Sequence, residues 1–133
     1  MPKTCTGLNA RLLFTFHHIL SEKKKTFIRK EARELGLYGI CKIGYPGVLA
    51  VEGTEESVST YAHGIKSLRW ASCTLADHSK GLTDDDLRMR VALAKSSSAT
   101  PGVMMVEKMS DVGAFMRTAQ LEEWWRQAMG YSK

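Results

Sequence analysis

The sequence predicts an α+β fold of order β-α-β-β-α-β with a helical extension at its C-terminal end. Three observations carry that prediction. Residues 37–51 read as a strand, a tight turn and a second strand, with Gly36 before them and Pro46-Gly47 between the strands. Amphipathic helical stretches flank this hairpin on both sides. Apolar runs at Arg11–Ile19 and Trp70–Ala76 supply the first and the fourth strand.

Each element has its own signal. Residues 1–10 are small and polar and read as a flexible lead-in. Arg11–Ile19 alternates Leu12, Phe14, Phe16 and His18 with Leu13, Thr15, His17 and Ile19. Both faces are mostly apolar, which predicts a central strand. Ser21 is a good N-cap, and Phe27, Ile28, Ala32 and Leu35 recur at helical spacing up to Gly36, the residue expected to end the helix. Pro46 and Gly47 fit the central positions of a type II turn, with Gly47 taking positive φ.

Thr54 caps the second helix, whose stripe is Val58, Tyr61, Ala62 and Ile65. Residues 79–102 read as an insertion. Within it, Thr83 and Asp86 resemble a capping box, and Leu87, Val91 and Ala94 line a short helix. Val103–Val106 is a candidate fifth strand. Ser110 caps a last helical region, interrupted near Thr118, which carries Phe115, Met116, Trp124 and Trp125. So apolar a segment is expected to pack back on the domain.

These elements predict a ferredoxin-like sandwich over residues 11–78, with 103–133 as an extension packing on it. The strand order four-one-three-two puts the first strand in the centre. It also brings the loop after strand one to the same end of the sheet as the turn between strands two and three. His17, His18, Lys23, Lys24 and Lys25 should therefore approach Lys42 and Tyr45.

Size and charge narrow the function. The chain has 133 residues and a formal charge of +5, consistent with one domain. Residues 1–50 hold nine Lys and Arg against three Glu, so the positive charge is concentrated there. Such an excess suits an acidic partner, nucleic acid above all. Cys5, Cys41 and Cys73 are widely spaced and form no C-x-x-C; Cys41 and Cys73 read as buried strand thiols. No apolar run approaches the ~20 residues of a membrane-spanning helix. An intracellular protein, nuclear or cytoplasmic, without a membrane partner, is expected.

The candidate chemistry is that of binding. As neighbours in a strand, His17 and His18 should point to opposite faces and cannot chelate one metal. No metal, cofactor or catalytic residue is expected, and no small-molecule substrate. Lys23-Lys24-Lys25 opens a helix, where positive charge opposes the macrodipole and the free N–H groups favour anions. Tyr45 lies at an exposed turn, where a base could stack. The third strand lacks the aromatics of an RNA-recognition motif. The strand order also resembles acylphosphatase, but residues 18–23 lack its Arg and Gly, and Lys42-Ile43-Gly44 lacks its Asn.

Phe16–Trp70 resembles the C-terminal domain of the pre-mRNA processing splicing factor of the spliceosomal tri-snRNP. The same domain follows an RWD domain in some RWD-containing proteins. The resemblance is carried by His17-His18, the Lys-rich helix start, Gly44-Tyr45-Pro46-Gly47-Val48, Val51-Glu52-Gly53 and Leu68-Arg69-Trp70. It implies a ferredoxin-like fold and contact with small nuclear RNA, near a duplex and its single-stranded extension. By position, the implied contact residues are His17, His18, Lys23, Lys24, Lys25, Lys42 and Tyr45. The expectation is a non-enzymatic module that binds RNA or an RNP protein. A protein-interaction adaptor using the open sheet face or the Trp124/Trp125 helix is the alternative, and an acylphosphatase-like hydrolase ranks third. Neither an RWD domain nor a long upstream region is present in these residues, so a module rather than a full splicing factor is expected.

Overall fold

The structure is a computed structural model that describes residues 8–96 and 100–131. Cys5 and most of the expected lead-in lie outside the described residues. The chain runs β1 (Asn9–Phe16), α1 (Glu22–Glu34), β2 (Tyr38–Lys42), β3 (Gly47–Thr54), α2 (Glu55–Ser67) and β4 (Cys73–Leu82). A 3₁₀ turn at Asp84–Asp86 leads to α3 (Arg88–Ser96), β5 (Gly102–Val106), α4 (Met109–Thr118) and α5 (Glu122–Met129). One sheet holds all five strands in the order β4-β1-β3-β2-β5. The first four are antiparallel neighbours, and β5 adds to β2 in parallel. The alternation and the order of the first four strands are ferredoxin-like.

Pleat alternation gives the sheet two apolar faces, and both are covered. Leu12, Phe14, Cys41, Leu49 and Val51 face α1 and α2, meeting Ile28, Ala32, Val58, Tyr61 and Ile65. Leu13, Ile40, Val48 and Ala50 face the other way, onto Met89, Leu93, Val112, Phe115, Met116 and Trp125 of α3, α4 and α5. Each Val, Leu, Ile, Phe or Met among them contributes ~1.5–3 kcal/mol on burial. The second face is therefore not open, and an adaptor role resting on it has no surface to use.

Several expectations need correction. β1 begins at Asn9 because its backbone pairs on both sides, with Thr54 and Leu82, whatever its side chains. It ends at Phe16, three residues earlier than expected. β4 starts at Cys73 and runs through polar Asp77, His78 and Ser79 to Leu82; as an edge strand it tolerates them. Residues 79–82 thus belong to β4, and Arg88–Ser96 form the helix expected within residues 79–102. In α3 the inward residues are Met89, Ala92 and Leu93, while Val91 is exposed. Asp86 does accept the Thr83 N–H at 2.8 Å, but Thr83 caps the 3₁₀ turn, which Asp86 ends, rather than α3. Lys108, not Ser110, stands at the N-cap of α4. Cys41 is buried and Cys73 half-buried.

The hairpin turn also differs. The Tyr45–Pro46 peptide is cis, and positive φ falls on Gly44, at 86°, rather than on Gly47. Gly47 is instead a buried strand residue. A Cβ there would lie 2.4 Å from Ile19 Cγ1, so glycine is required for close packing rather than for φ.

Candidate nucleic-acid interface

Four segments meet at one end of the sheet. Ile19 and Gly44 form an isolated antiparallel bridge, with N–H···O distances of 3.0 and 2.9 Å. That bridge ties the loop after β1 to the β2–β3 turn, as the topology predicted. Ile19 itself is wholly buried and anchors the loop in the core. The His17 N–H donates to the Ser72 carbonyl at 3.3 Å, adding the segment between α2 and β4. The Trp70 ring packs on Phe16 with centroids 4.3 Å apart, and its N–H is held by the Ile65 carbonyl at 2.8 Å.

Because β1 stops at Phe16, His17 and His18 leave the strand pleat. Their rings do not diverge to opposite faces; the centroids are 5.2 Å apart. Both also contact Tyr45, at 5.5 Å for His17 and 5.1 Å for His18. Three rings thus form one cluster with tilted, edge-type contacts, an arrangement aromatic quadrupoles favour. Tyr45 is 62% exposed, His17 is exposed and His18 half-buried. Among the described residues, no group of three His, Cys, Asp or Glu side chains could hold a metal.

The start of α1 follows directly on this loop. Ser21 Oγ accepts the Lys24 N–H at 3.3 Å, fixing where the helix begins. The three lysines then differ. Lys23 is exposed and has no partner among the described residues. Lys24 donates to the Arg69 carbonyl, with its ammonium 4.5 Å from the Trp70 ring centroid; these partners are uncharged, so its charge still reaches solvent. Lys25 pairs with the exposed Glu22 at 3.1 Å, a contact easily exchanged.

Lys42 is turned away from this surface. Only 5% exposed, it turns its ammonium into the hairpin, donating to the carbonyls of Ile43, Tyr45 and Pro46 at 3.2, 3.3 and 2.8 Å. Three partners use its three donors. It holds the turn that presents Tyr45.

Sequence reasoning missed Arg69 and Trp70 as members of this end. Leu68-Arg69-Trp70 supported only the resemblance, yet Arg69 is exposed beside Lys24 and Trp70 supplies the surface under it. The signal was a basic–aromatic pair directly after a helix whose C-terminal end faces the start of β4.

Elsewhere, a polar group lies buried beneath α3. Glu52, wholly buried, accepts the Arg90 N–H at 2.9 Å and lies 3.9 Å from Arg11 Nε. Arg11 also donates to the Asp86 carbonyl at 2.8 Å and sits over Trp124, whose N–H bonds Asp77 at 2.7 Å. These contacts join the helical layer to the sheet. Among the described residues, no helix is long and apolar enough to cross a membrane.

Comparison with known proteins agrees with this architecture. The chain is 28% identical over 79 residues to "Phomoidride biosynthesis cluster protein F" of a fungal species, a stretch covering 59% of this chain. It spans about a quarter, 26%, of that relative's length. The family model "Small nuclear ribonucleoprotein Prp3, C-terminal domain" matches residues 12–128, which takes in both helical layers and every strand. The resemblance seen in Phe16–Trp70 therefore extends across nearly the whole chain, and the protein belongs to the family of that ribonucleoprotein domain.

Proposed function

We propose that this chain is a non-enzymatic RNA-binding module whose interface is the end of the sheet formed by His17, His18, Tyr45 and the start of α1. The single observation that carries the reading is the three-ring cluster of His17, His18 and Tyr45, on the loop that leads into the lysine-bearing start of α1. Exposed rings offer π-faces to unpaired bases, each stacked base being worth ~1–3 kcal/mol. Neighbouring cations meet the phosphates. Lys42 acts from behind, by holding the hairpin. The RNP-associated family supports the reading and favours a nuclear site of action. A duplex with a single-stranded extension fits best, since the rings suit unstacked bases and the cations suit backbone.

Anisotropy of a labelled single-stranded RNA and of a duplex with a short overhang, at ~50 and ~200 mM salt, tests this. Binding should weaken steeply with salt. Tyr45→Ala should cost ~1–3 kcal/mol, roughly five- to a hundredfold. Lys23→Glu combined with Lys25→Glu should abolish binding. If neither RNA binds at low salt, or both variants bind as the parent does, the proposal fails.

A further inference from the structure

We propose that the outer edge of β5 is a docking site for an extended peptide whose apolar residues alternate with acidic ones, added as a sixth strand. The backbone is the first argument. In the parallel pairing with β2, the Gly102 N–H donates to Leu37 and the Val106 carbonyl accepts from Ile43. The register fixes the rest: residues 102, 104 and 106 turn their polar groups to β2, and Val103 and Met105 turn theirs outward. No described strand pairs with that side. Unpaired edge groups of this kind are a template for another strand.

Side chains supply the specificity. At the β5 edge a cavity of about 190 Å³ is lined by Arg29, Arg33 and Val103 on the α1 side and by Leu93 and Met104 on the other. Both arginines are exposed, stand one turn apart, and have no carboxylate partner among the described residues. On the other side, a cavity of about 380 Å³ is lined by Met104, Val106, Ala114 and Phe115, with Asp111 also present. An added strand would point alternate residues into these two cavities. Carboxylates suit the arginine side, where a bidentate pair can form. Apolar groups suit the other side, where Asp111 would repel acid. The two methionines of β5 adapt to varied shapes.

The same charges oppose a second copy of this chain. Antiparallel pairing of two β5 edges about a twofold axis keeps like faces together. It would set the arginines of both copies side by side. An acidic partner from another protein is the occupant the surface selects.

The test uses isotope-labelled protein and two capped seven-residue peptides, one of alternating Val and Glu, the other of alternating Val and Lys. The Val-Glu peptide should bind, shift the Val103 and Met105 amide signals and slow their hydrogen exchange. Arg29→Glu with Arg33→Glu, both at exposed sites, should weaken this by ~tenfold or more through charge reversal. The peptide should bind Lys23→Glu/Lys25→Glu as it binds the parent, which separates this site from the RNA interface. Failure of the Val-Glu peptide at millimolar concentration would overturn the inference. So would equal binding of the Val-Lys peptide, indifference to the arginine reversals, or a dimer formed through β5. Single-stranded RNA that moved the Val103 and Met105 signals would overturn it in favour of nucleic acid.

Discussion

The buried carboxylate of Glu52 makes a stability prediction with a defined sign. Taken out of water by β3 and α3, its carboxyl is pushed up by burial from 4.5 to about 7, against the pull of the Arg90 and Met89 amides and the Arg11 charge. Between those two values the folded protein holds a proton that the unfolded chain has released. Folding stability from this group is therefore complete below the unfolded value and is lost as pH rises through about 7. At ~1.4 kcal/mol per pH unit, the loss comes to about 3 kcal/mol, and full burial leaves little screening to reduce it. Urea unfolding at several pH values from ~5 to ~8, on the parent and on Glu52→Gln, measures it. The amide variant keeps an acceptor for the Arg90 N–H but cannot ionise. The parent should lose stability relative to Glu52→Gln as pH rises. His78, held below its usual value mainly by burial, acts in the opposite direction, but it is common to both proteins and cancels in the difference. Parallel curves, or a parent that gains on the variant with rising pH, would refute the reasoning.

Two further substitutions separate structure from binding. Gly39→Ala would set a Cβ 1.9 Å from the Ala50 backbone oxygen, so β2 and β3 must part and stability in urea should fall by ~1–3 kcal/mol or more. Lys42→Met strips three hairpin carbonyls of their donor; it should cost ~1–3 kcal/mol of stability while the salt dependence of RNA binding stays that of the parent, since no phosphate contact is lost.

Local chemistry was legible wherever it acts within a few residues. Ser21 and Thr54 cap their helices as their side chains suggest, accepting from Lys24 and Ser57, and Gly36 takes φ of 72° just past α1. Elements that depend on distant partners were not legible in the same way. Asn9 and Ala10 are strand only because β3 pairs with both and β4 with Asn9. The polar second half of β4 follows β1 for the same reason. In α3 the periodicity allowed more than one stripe. The sheet chose Met89, Ala92 and Leu93, and left Val91 outside. Nothing local marked Glu52 as buried, because the amide it meets is 38 residues away.

The binding end divides along the same line. Topology was enough to bring His17 and His18 to the Tyr45 turn, because strand order fixes which loops share an end. The details depended on three dimensions. Where β1 stops decides whether two adjacent histidines diverge or cluster. The fate of Lys42 depends on carbonyls that only the folded hairpin turns inward. Arg69 joins the rim through a contact 45 residues from Lys24.

The ring cluster is most directly tested through its own imidazoles. Carbon–proton spectra of the protein, recorded while a short single-stranded RNA is added, report His17 and His18 separately once His17→Gln and His18→Gln assign them. Stacking of bases at this end of the sheet predicts that the ring signals of His17 or His18 and of Tyr45 shift together and saturate with the binding curve. Saturable RNA binding that leaves all three rings unmoved, and moves Arg29, Arg33 or α5 instead, would contradict the account.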